Sequence, residues 1–559
     1  MSFSRRDYGY VAGLVGLAAF SLAVRILSPS DIFDNDQSGP ISHIADVAFN
    51  GHWLMQQTPR GKLATKPPMY PWLGALAVRA TGRTDELVFK LPVVLAFVVV
   101  TLVVFDWTRR TAGGAIATVA CAIWIANYHV FKLMYTARTD MIITMWVVLA
   151  IWSVDRQRQT WKVHVKSLGN RTQVALILMF GATVGAGLLT KGPPALIPIV
   201  WLISVVVYEG AWRRCRPVWQ LVGVLLSVAM LLAWLVPTLR AYPQWAQNIN
   251  AEVIERVTGA GSGAHRHSSA FAIPGYFLAR FAPWSVLFVA GGLLWWGTRR
   301  DPKQPLSAWP LGWVALVLVI FMIPHGKRAD YIVPAYPAAA FLVAVFVAAA
   351  QSRKGWHRGV VHLTLGGVAV SGIACAVASP WLAQSPESEL LYSFQVIPNS
   401  EYLIYGCACA AAFAAAPVLW LIHRRRYNLG AMVCCFVLIA MLGIYQSTLS
   451  RAAKTYRGEV IIALVKTARS LGQEERLPIH CYGRAAGRFQ ALLGYHQLHA
   501  EFAWDALSDG ALLLIGDDEW PVQASRFSGR STIVLQTQPI NNKKDTILLV
   551  RIGDQTKAS

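Results

Sequence analysis

Residues 31–90 read DIFDNDQSGPISHIADVAFNGHWLMQQTPRGKLATKPPMYPWLGALAVRATGRTDELVFK. This mixed stretch lies between two apolar runs, at 8–28 and 89–107, each of about membrane-spanning length. Two consecutive spans return the chain to the side it left, so the whole stretch lies on one face. Asp34 and Asp36 stand just past the end of the first run, whose middle is near Phe20. The spacing of Ile44, Val47 and Ala48 predicts a helix over His43–Trp53, with Gly51 as its stop. Lys66-Pro67-Pro68 then opens a second amphipathic piece carrying Met69, Tyr70, Trp72 and Leu73. An acidic loop and a fixed cation, held at a membrane surface by two interfacial helices, suit a site that handles a lipid-borne anion.

Composition agrees with that reading. Of 559 residues 55% are hydrophobic and only 14% charged, and the mean hydropathy is +0.43. Such a chain is a polytopic membrane protein, not a soluble one. The net charge of +22 invites a nucleic-acid reading. Its distribution argues against it, because the basic residues fall in short clusters between apolar runs, as topology signals do. The first run follows Arg5 and Arg6 without a convincing small-residue cleavage site, and is expected to be a retained anchor.

Window hydropathy predicts about thirteen spans, near 8–28, 89–107, 113–131, 141–154, 173–190, 193–209, 217–236, 284–297, 309–324, 331–350, 360–379, 402–422 and 429–447. With a cytoplasmic N-terminus, the inside loops hold Arg109-Arg110, Arg156 to Lys166, Arg213-Arg214, Arg299-Arg300, Arg353-Lys354 and Arg424-Arg425-Arg426. Every inside loop is basic, which is the positive-inside pattern. The outer loops are then 31–90, 241–283, 325–330 and 384–401, together with the tail. The tail, 448–559, loses the long apolar runs and alternates β-like runs (Ile479–Cys481, Ala511–Ile515, Thr532–Gln536, Thr546–Ile552) with helical pieces such as Arg488–Leu493. It reads as a small α/β extracytoplasmic domain beside a membrane domain over 1–447, whose outer-loop helices lie at about 36–90.

Several chemistries are excluded. Most of the eight cysteines lie in or near spans, and Cys481 has no partner in the tail, so no disulfide framework is expected. The sequence has no glycine-rich phosphate loop and no HExxH motif, which removes ATP-driven pumps and that class of metalloprotease. The chemistry falls to charged residues at outer span ends. Asp36 is one, and Asp140, which opens the fourth span after Arg138-Thr139, is another. An ionisable residue there is costly unless used or paired. Two aspartates on one face near a cation make an acid/base arrangement, with Arg138 as a possible structural partner. Lys191 and Lys327 stand at outer turns, where snorkelling to headgroups is the simpler role. His265 and His267 form a spaced pair with no converging carboxylate, a weak metal candidate.

In order along the chain come Gly51-His52-Trp53, Lys66-Pro67-Pro68, Asp85-Glu86-Leu87, Arg138-Thr139-Asp140-Met141, Thr190-Lys191-Gly192-Pro193 and Gly326-Lys327-Arg328-Ala329-Asp330-Tyr331. By these motifs and their order the chain resembles the polyprenyl-phosphate-sugar-dependent glycosyltransferases of the C-class membrane fold, the superfamily of the lipid A aminoarabinose and protein O-mannosyl transferases. The resemblance implies a sugar donor on a polyprenyl phosphate, a lipid, glycan or protein acceptor, and transfer at the outer face of the cytoplasmic (inner) membrane. It implies no nucleic-acid partner and no cofactor. Lys66, Arg256 and Tyr331 match the family's donor-phosphate contacts, and Lys191 joins them. Asp36 stands seventeen positions before Trp53, the family spacing for the catalytic aspartate.

The implied mechanism has Asp36 as general base, with Asp140 orienting it or the acceptor; Asp34, Glu86 and Lys327 are secondary candidates. Phosphate is a fair leaving group, so catalysis needs a base and cations but no metal. The chain departs from the family at Gln37, where the family has Glu, and at Thr65, where an acidic residue associated with a metal precedes the lysine. No metal site is therefore expected. A secondary transporter or flippase would show an internal repeat and mid-span charges, neither of which the sequence has. An inactive relative would not be expected to keep Asp36, Lys66, Asp140 and Lys191 together.

Overall fold

The structure is a computed structural model that describes residues 5–28, 31, 35–58, 62–159, 161, 170–250, 269–298, 309–353, 355–383, 400–451, 456–475, 477–482, 510–517, 519–527, 531–536 and 547–553. The first span is α1 (Arg5–Leu27), followed by α2 (Asn35–Ala45), α3 (Met69–Thr81), α4 (Glu86–Ala112), α5 (Gly114–Ile125) and the short α6 (Tyr128–Leu133). Then come α7 (Asp140–Arg158), α8 (Asn170–Lys191), α9 (Ile197–Tyr208), α10 (Pro217–Ala241), α11 (Trp245–Ile249), α12 (Ala272–Arg280), α13 (Trp284–Thr298) and α14 (Trp309–Met322). A 3₁₀ turn over Ala329–Ala335 leads into α15 (Tyr336–Ser352), followed by α16 (Trp356–Ala383), α17 (Ser400–His423) and α18 (Tyr427–Arg451).

Among the described residues eight helices are long and apolar enough to cross a membrane, or nine if the pair α12–α13, bent by 111°, is one broken span. The apolar helices Gly114–Ile125, Pro193–Tyr208 and Pro310–Met322 are shorter. With α7, whose ends carry charge, they occupy the remaining predicted span positions. The chain is thus a multi-pass helical membrane protein. Its helices pack α4 on α5 and α7, α8 on α7 and α10, and α16 on α17 and α18, with α18 reaching back to α5. Without a hydrophobic drive between lipid-bathed helices, close backbone approach holds such pairs. The α8–α10 crossing shows it: a Cβ on Gly181 would sit 2.1 Å from the Gly223 carbonyl oxygen.

The segment between α1 and α4 is more helical than its periodicity predicts. The helix expected over His43–Trp53 begins earlier, as α2, and runs through Gly39-Pro40 before loosening into a π-turn over Asp46–Asn50. Gly51 ends it in the left-handed region (φ 72°), as expected of the stop. The buried Asp46 carboxylate then closes the loop, accepting from the Gln57 amide at 2.7 Å and Asn50 Nδ2 at 2.8 Å, with His52 Nδ1 at 3.0 Å. Three indoles pin the segment between Gly51 and α3 by donating to its main-chain carbonyls: Trp72 to Trp53 (2.7 Å), Trp234 to Leu54 (2.8 Å) and Trp245 to Ala64 (2.7 Å). The expected second amphipathic piece is α3.

After α18 comes α19 (Tyr456–Glu474) and a four-stranded sheet of β1 (Ile479–Cys481), β2 (Leu512–Gly516), β3 (Ser531–Gln536) and β4 (Ile547–Ile552). The sheet order is β1-β2-β4-β3, with β1 parallel to β2 and the other pairs antiparallel. One face packs on Leu464, Val465 and Ala468 of α19, the other on Trp520 and Phe527. The four strands coincide with the β-like runs in the sequence. The expected helical piece at Arg488–Leu493 lies outside the described residues.

Candidate active site

Arg25 near the end of α1, Asp31, and Glu86 and Lys90 at the start of α4 form a buried ion cluster. Asp31 pairs with Arg25 and, at 2.7 Å, with Lys90, while Lys90 also holds Glu86. The Tyr135 ring covers the Lys90 ammonium at 4.4 Å. Burial works to raise the Asp31 carboxyl, but Arg25 and Lys90 outweigh it and hold the group well below the usual carboxylate range. Glu86, a secondary candidate, belongs to this cluster.

The cluster anchors α2. Gln37 donates from Nε2 to the Asp31 carbonyl at 2.8 Å and accepts from the Ala137 amide at 2.8 Å. It thereby ties the first turn of α2 to the segment that carries Arg138. Next to Gln37, Asp36 reaches Arg138, with Nη2–Oδ2 at 3.2 Å, and Arg328 approaches the same oxygen at 3.9 Å.

Arg138 is the centre of the site. Its Nη2 faces Asp36, its Nε faces Asp140 Oδ2 at 3.4 Å, and its Nη1 faces Asp330 Oδ2 at 3.0 Å. Asp140 opens α7 and is also held by Lys191, the last residue of α8, whose ammonium lies 4.7 Å from the Tyr331 ring centre. Asp330 is held from its other side by His129 Nε2 at 2.8 Å. The Asp36 side chain is 52% exposed, whereas that of Asp140 is 4% exposed. One carboxylate is open to an incoming group and the other is enclosed between two cations. Both meet the Arg138 guanidinium, Asp36 at Nη2 and Asp140 at Nε.

The structure thus joins Asp36, Asp140, Lys191 and Tyr331. Lys327 turns away, donating to the Pro324 carbonyl at 2.9 Å. Lys66 is exposed at the foot of α3 and faces α2: burial and the Lys66 charge push the His43 imidazole down to about 4, against the pull of Asp46. Asp34, Arg256, His265 and His267 lie outside the described residues. Among the described residues no group of three His, Cys, Asp or Glu side chains could hold a metal ion.

Sequence reasoning assigned no role to Asp330, His129, Arg328 or Gln37. Asp330 carries the signal that singled out Asp140, an acid opening an apolar span. His129 carries none, being an imidazole in an apolar run whose partner is 201 positions away.

A family model described as dolichyl-phosphate-mannose-protein mannosyltransferase matches residues 65–236. An undecaprenyl phosphate-alpha-4-amino-4-deoxy-L-arabinose arabinosyl transferase of Edwardsiella ictaluri is 25% identical over 405 residues, covering 71% of this chain and 70% of that protein. One from Sodalis glossinidius is 26% identical, covering 64% of each. Among solved structures, ArnT from Cupriavidus metallidurans bound to undecaprenyl phosphate superposes with a TM-score of 0.70 at 17% identity, over 97% of this chain and 98% of that one. An Archaeoglobus fulgidus oligosaccharyltransferase gives 0.51 at 15% identity, over 88% of this chain and 64% of that one. The chain has the C-class membrane glycosyltransferase fold, and by sequence it resembles the polyprenyl-phosphate-sugar-dependent transferases of the aminoarabinose and O-mannosyl branches.

Proposed function

We propose that the Arg138-centred site transfers a sugar from undecaprenyl phosphate to a hydroxyl of a lipid, glycan or protein acceptor, at the outer face of the inner membrane. The observation that carries the reading is Arg138 itself, holding an exposed Asp36 and an enclosed Asp140 on two nitrogens of one guanidinium, with Lys191 above Tyr331 alongside. In this reading the N-terminus is cytoplasmic. Residues 1–447 form the catalytic membrane domain, and 448–559 an extracytoplasmic domain that covers or scaffolds it.

The donor's isoprenoid tail lies in the bilayer and its phosphate meets Lys66, Lys191, Tyr331 and Arg256. Asp36 takes the proton of the acceptor hydroxyl as that oxygen bonds to the anomeric carbon. The bond from that carbon to the phosphate oxygen breaks, and its electron pair leaves with the phosphate. The products are the glycosylated acceptor and undecaprenyl phosphate. The charge developing on the phosphate is met by fixed cations, which is where electrostatic preorganisation acts most strongly. Asp140, enclosed by Arg138 and Lys191, orients those cations and not the proton transfer.

The test is transfer by the purified full-length protein in liposomes, supplied with undecaprenyl-phosphate-linked pentose and hexose donors and an envelope extract as acceptor. The expected result is release of undecaprenyl phosphate with a matching mass gain on an acceptor, undiminished after exhaustive chelation. Donor left intact in every combination would refute the reading. Loss on chelation, restored by one particular ion, would turn attention to His265 and His267.

A further inference from the structure

Arg138 contacts three carboxylates, but its contacts differ in length. Nη1–Asp330 is 3.0 Å, against 3.2 Å to Asp36 and 3.4 Å to Asp140. Charge-assisted N–H···O contacts settle near 2.7–2.9 Å. The guanidinium therefore sits most firmly on Asp330 and reaches the other two more loosely.

Asp330 is itself fixed from behind. His129 is fully buried, with Nε2 2.8 Å from Asp330 Oδ1 and Nδ1 3.0 Å from the Tyr336 hydroxyl. A carboxylate only accepts, so Nε2 carries the proton and donates, and Nδ1 accepts from the Tyr336 O–H. The neutral imidazole has no second tautomer that keeps both bonds. Its backbone is pinned too: the Asn127 side chain accepts from the His129 and Val130 amides at 2.9 and 3.0 Å and donates to the Arg280 carbonyl at 3.0 Å. The Tyr336 ring is stacked on Phe281, with centroids 5.4 Å apart and planes 13° apart. Each member of the row is held by packing or by a hydrogen bond to the next.

We propose that Asp330 is a positioning residue for sugar transfer: seated by His129 and Tyr336, it sets the guanidinium of Arg138 and, through it, the carboxylate of Asp36. The inference rests on the proposed transferase reading. It differs from a structural ion pair in what it predicts, because a positioning residue acts on turnover through Arg138 alone. A misplacement of about 1 Å at a catalytic group is enough to cost on the order of 10²-fold in rate.

The test compares wild type, Asp330→Asn, Arg138→Lys and the double variant for turnover, donor binding and thermal midpoint. Asn at 330 still accepts from His129 but no longer presents a charge to Arg138. The expected result is a fall in kcat of about 10–100-fold. Donor affinity and thermal midpoint should stay near wild type. The same change in the Arg138→Lys background should cost little more, because the two substitutions break one connection. Wild-type kcat in Asp330→Asn, or the same fold-loss in both backgrounds, would overturn the proposal. If Asp330→Asn does not accumulate, Tyr336→Phe takes its place; it removes only the hydroxyl behind His129, and unchanged kcat there also overturns the proposal. A wild-type protein that consumes no donor would instead count against the transferase reading.

Discussion

The amide of Ala137 donates to Oε1 of Gln37 at 2.8 Å, while Nε2 of the same side chain donates to the Asp31 carbonyl. Gln37 is where the chain departs from the family it resembles, and the departure has a structural use. A carboxamide can donate and accept at once; a glutamate at this position could only accept. The Asp31 cluster, α2 and the Arg138 segment are joined through that one side chain.

Gln37→Glu should therefore destabilise the segment around α2 instead of improving it. It keeps the Ala137 contact and loses the one to Asp31, a cost of about 1 kcal/mol, whereas Gln37→Leu strands both partners at about 1–3 kcal/mol each. Thermal midpoints in detergent should fall in the order wild type, Gln37→Glu, Gln37→Leu. Equal midpoints would show that Gln37 holds nothing together.

Trp245 tests the anchoring of the donor-side loop. Its indole donates to the Ala64 carbonyl, two residues before Lys66. Trp245→Phe keeps the ring and removes the donor. The expectation is a rise in KM for the lipid-linked donor of roughly 3–10-fold, with kcat little changed. Steady-state kinetics over a donor series checks it, and a fall in kcat at constant KM would contradict it.

The His43 imidazole makes stability depend on pH. Its folded value, about 4, lies below the ordinary imidazole value of 6.5, first because it is buried and further because Lys66 is near. Between those values the unfolded chain binds more protons, so stability falls as pH drops through that window. Wild type should lose thermal stability from about pH 7 to about pH 5 more steeply than His43→Gln. Parallel slopes would remove His43 as the cause.

The legible part of this protein was its membrane layout. Long apolar runs announce themselves by hydropathy alone, and even α7, with Asp140 at one end and Asp155, Arg156 and Arg158 at the other, falls at its predicted position. The four short strands of the tail were equally plain from their β-like runs. The start of α2 was not, because Gly39-Pro40 reads as a break and the helix runs through it. Asp36, Asp140 and Lys191 stood out as charges at span ends. Their common partner did not: Arg138 looked like a local counterion to Asp140. Its contacts to Asp36 and Asp330 come from chain segments that only the packing of α2, α7 and the turn before α15 brings together. Glu86 and Lys327 carried the same span-end signal and went elsewhere, one into the Asp31 cluster and one onto a backbone carbonyl. Charge at a membrane boundary marks candidates, and only packing sorts them.

The most direct measurement is turnover of Asp36→Asn beside Asp34→Asn, both matched to wild type in protein amount and in donor binding. An amide at 36 can still accept from Arg138 but cannot take a proton. A lost general base costs about 10²–10⁴-fold in rate. The account predicts that Asp36→Asn binds the undecaprenyl-phosphate-linked donor normally and loses transfer by that factor, while Asp34→Asn keeps most of its activity. Near-normal transfer by Asp36→Asn would contradict the account and move the base to Asp34 or Asp140.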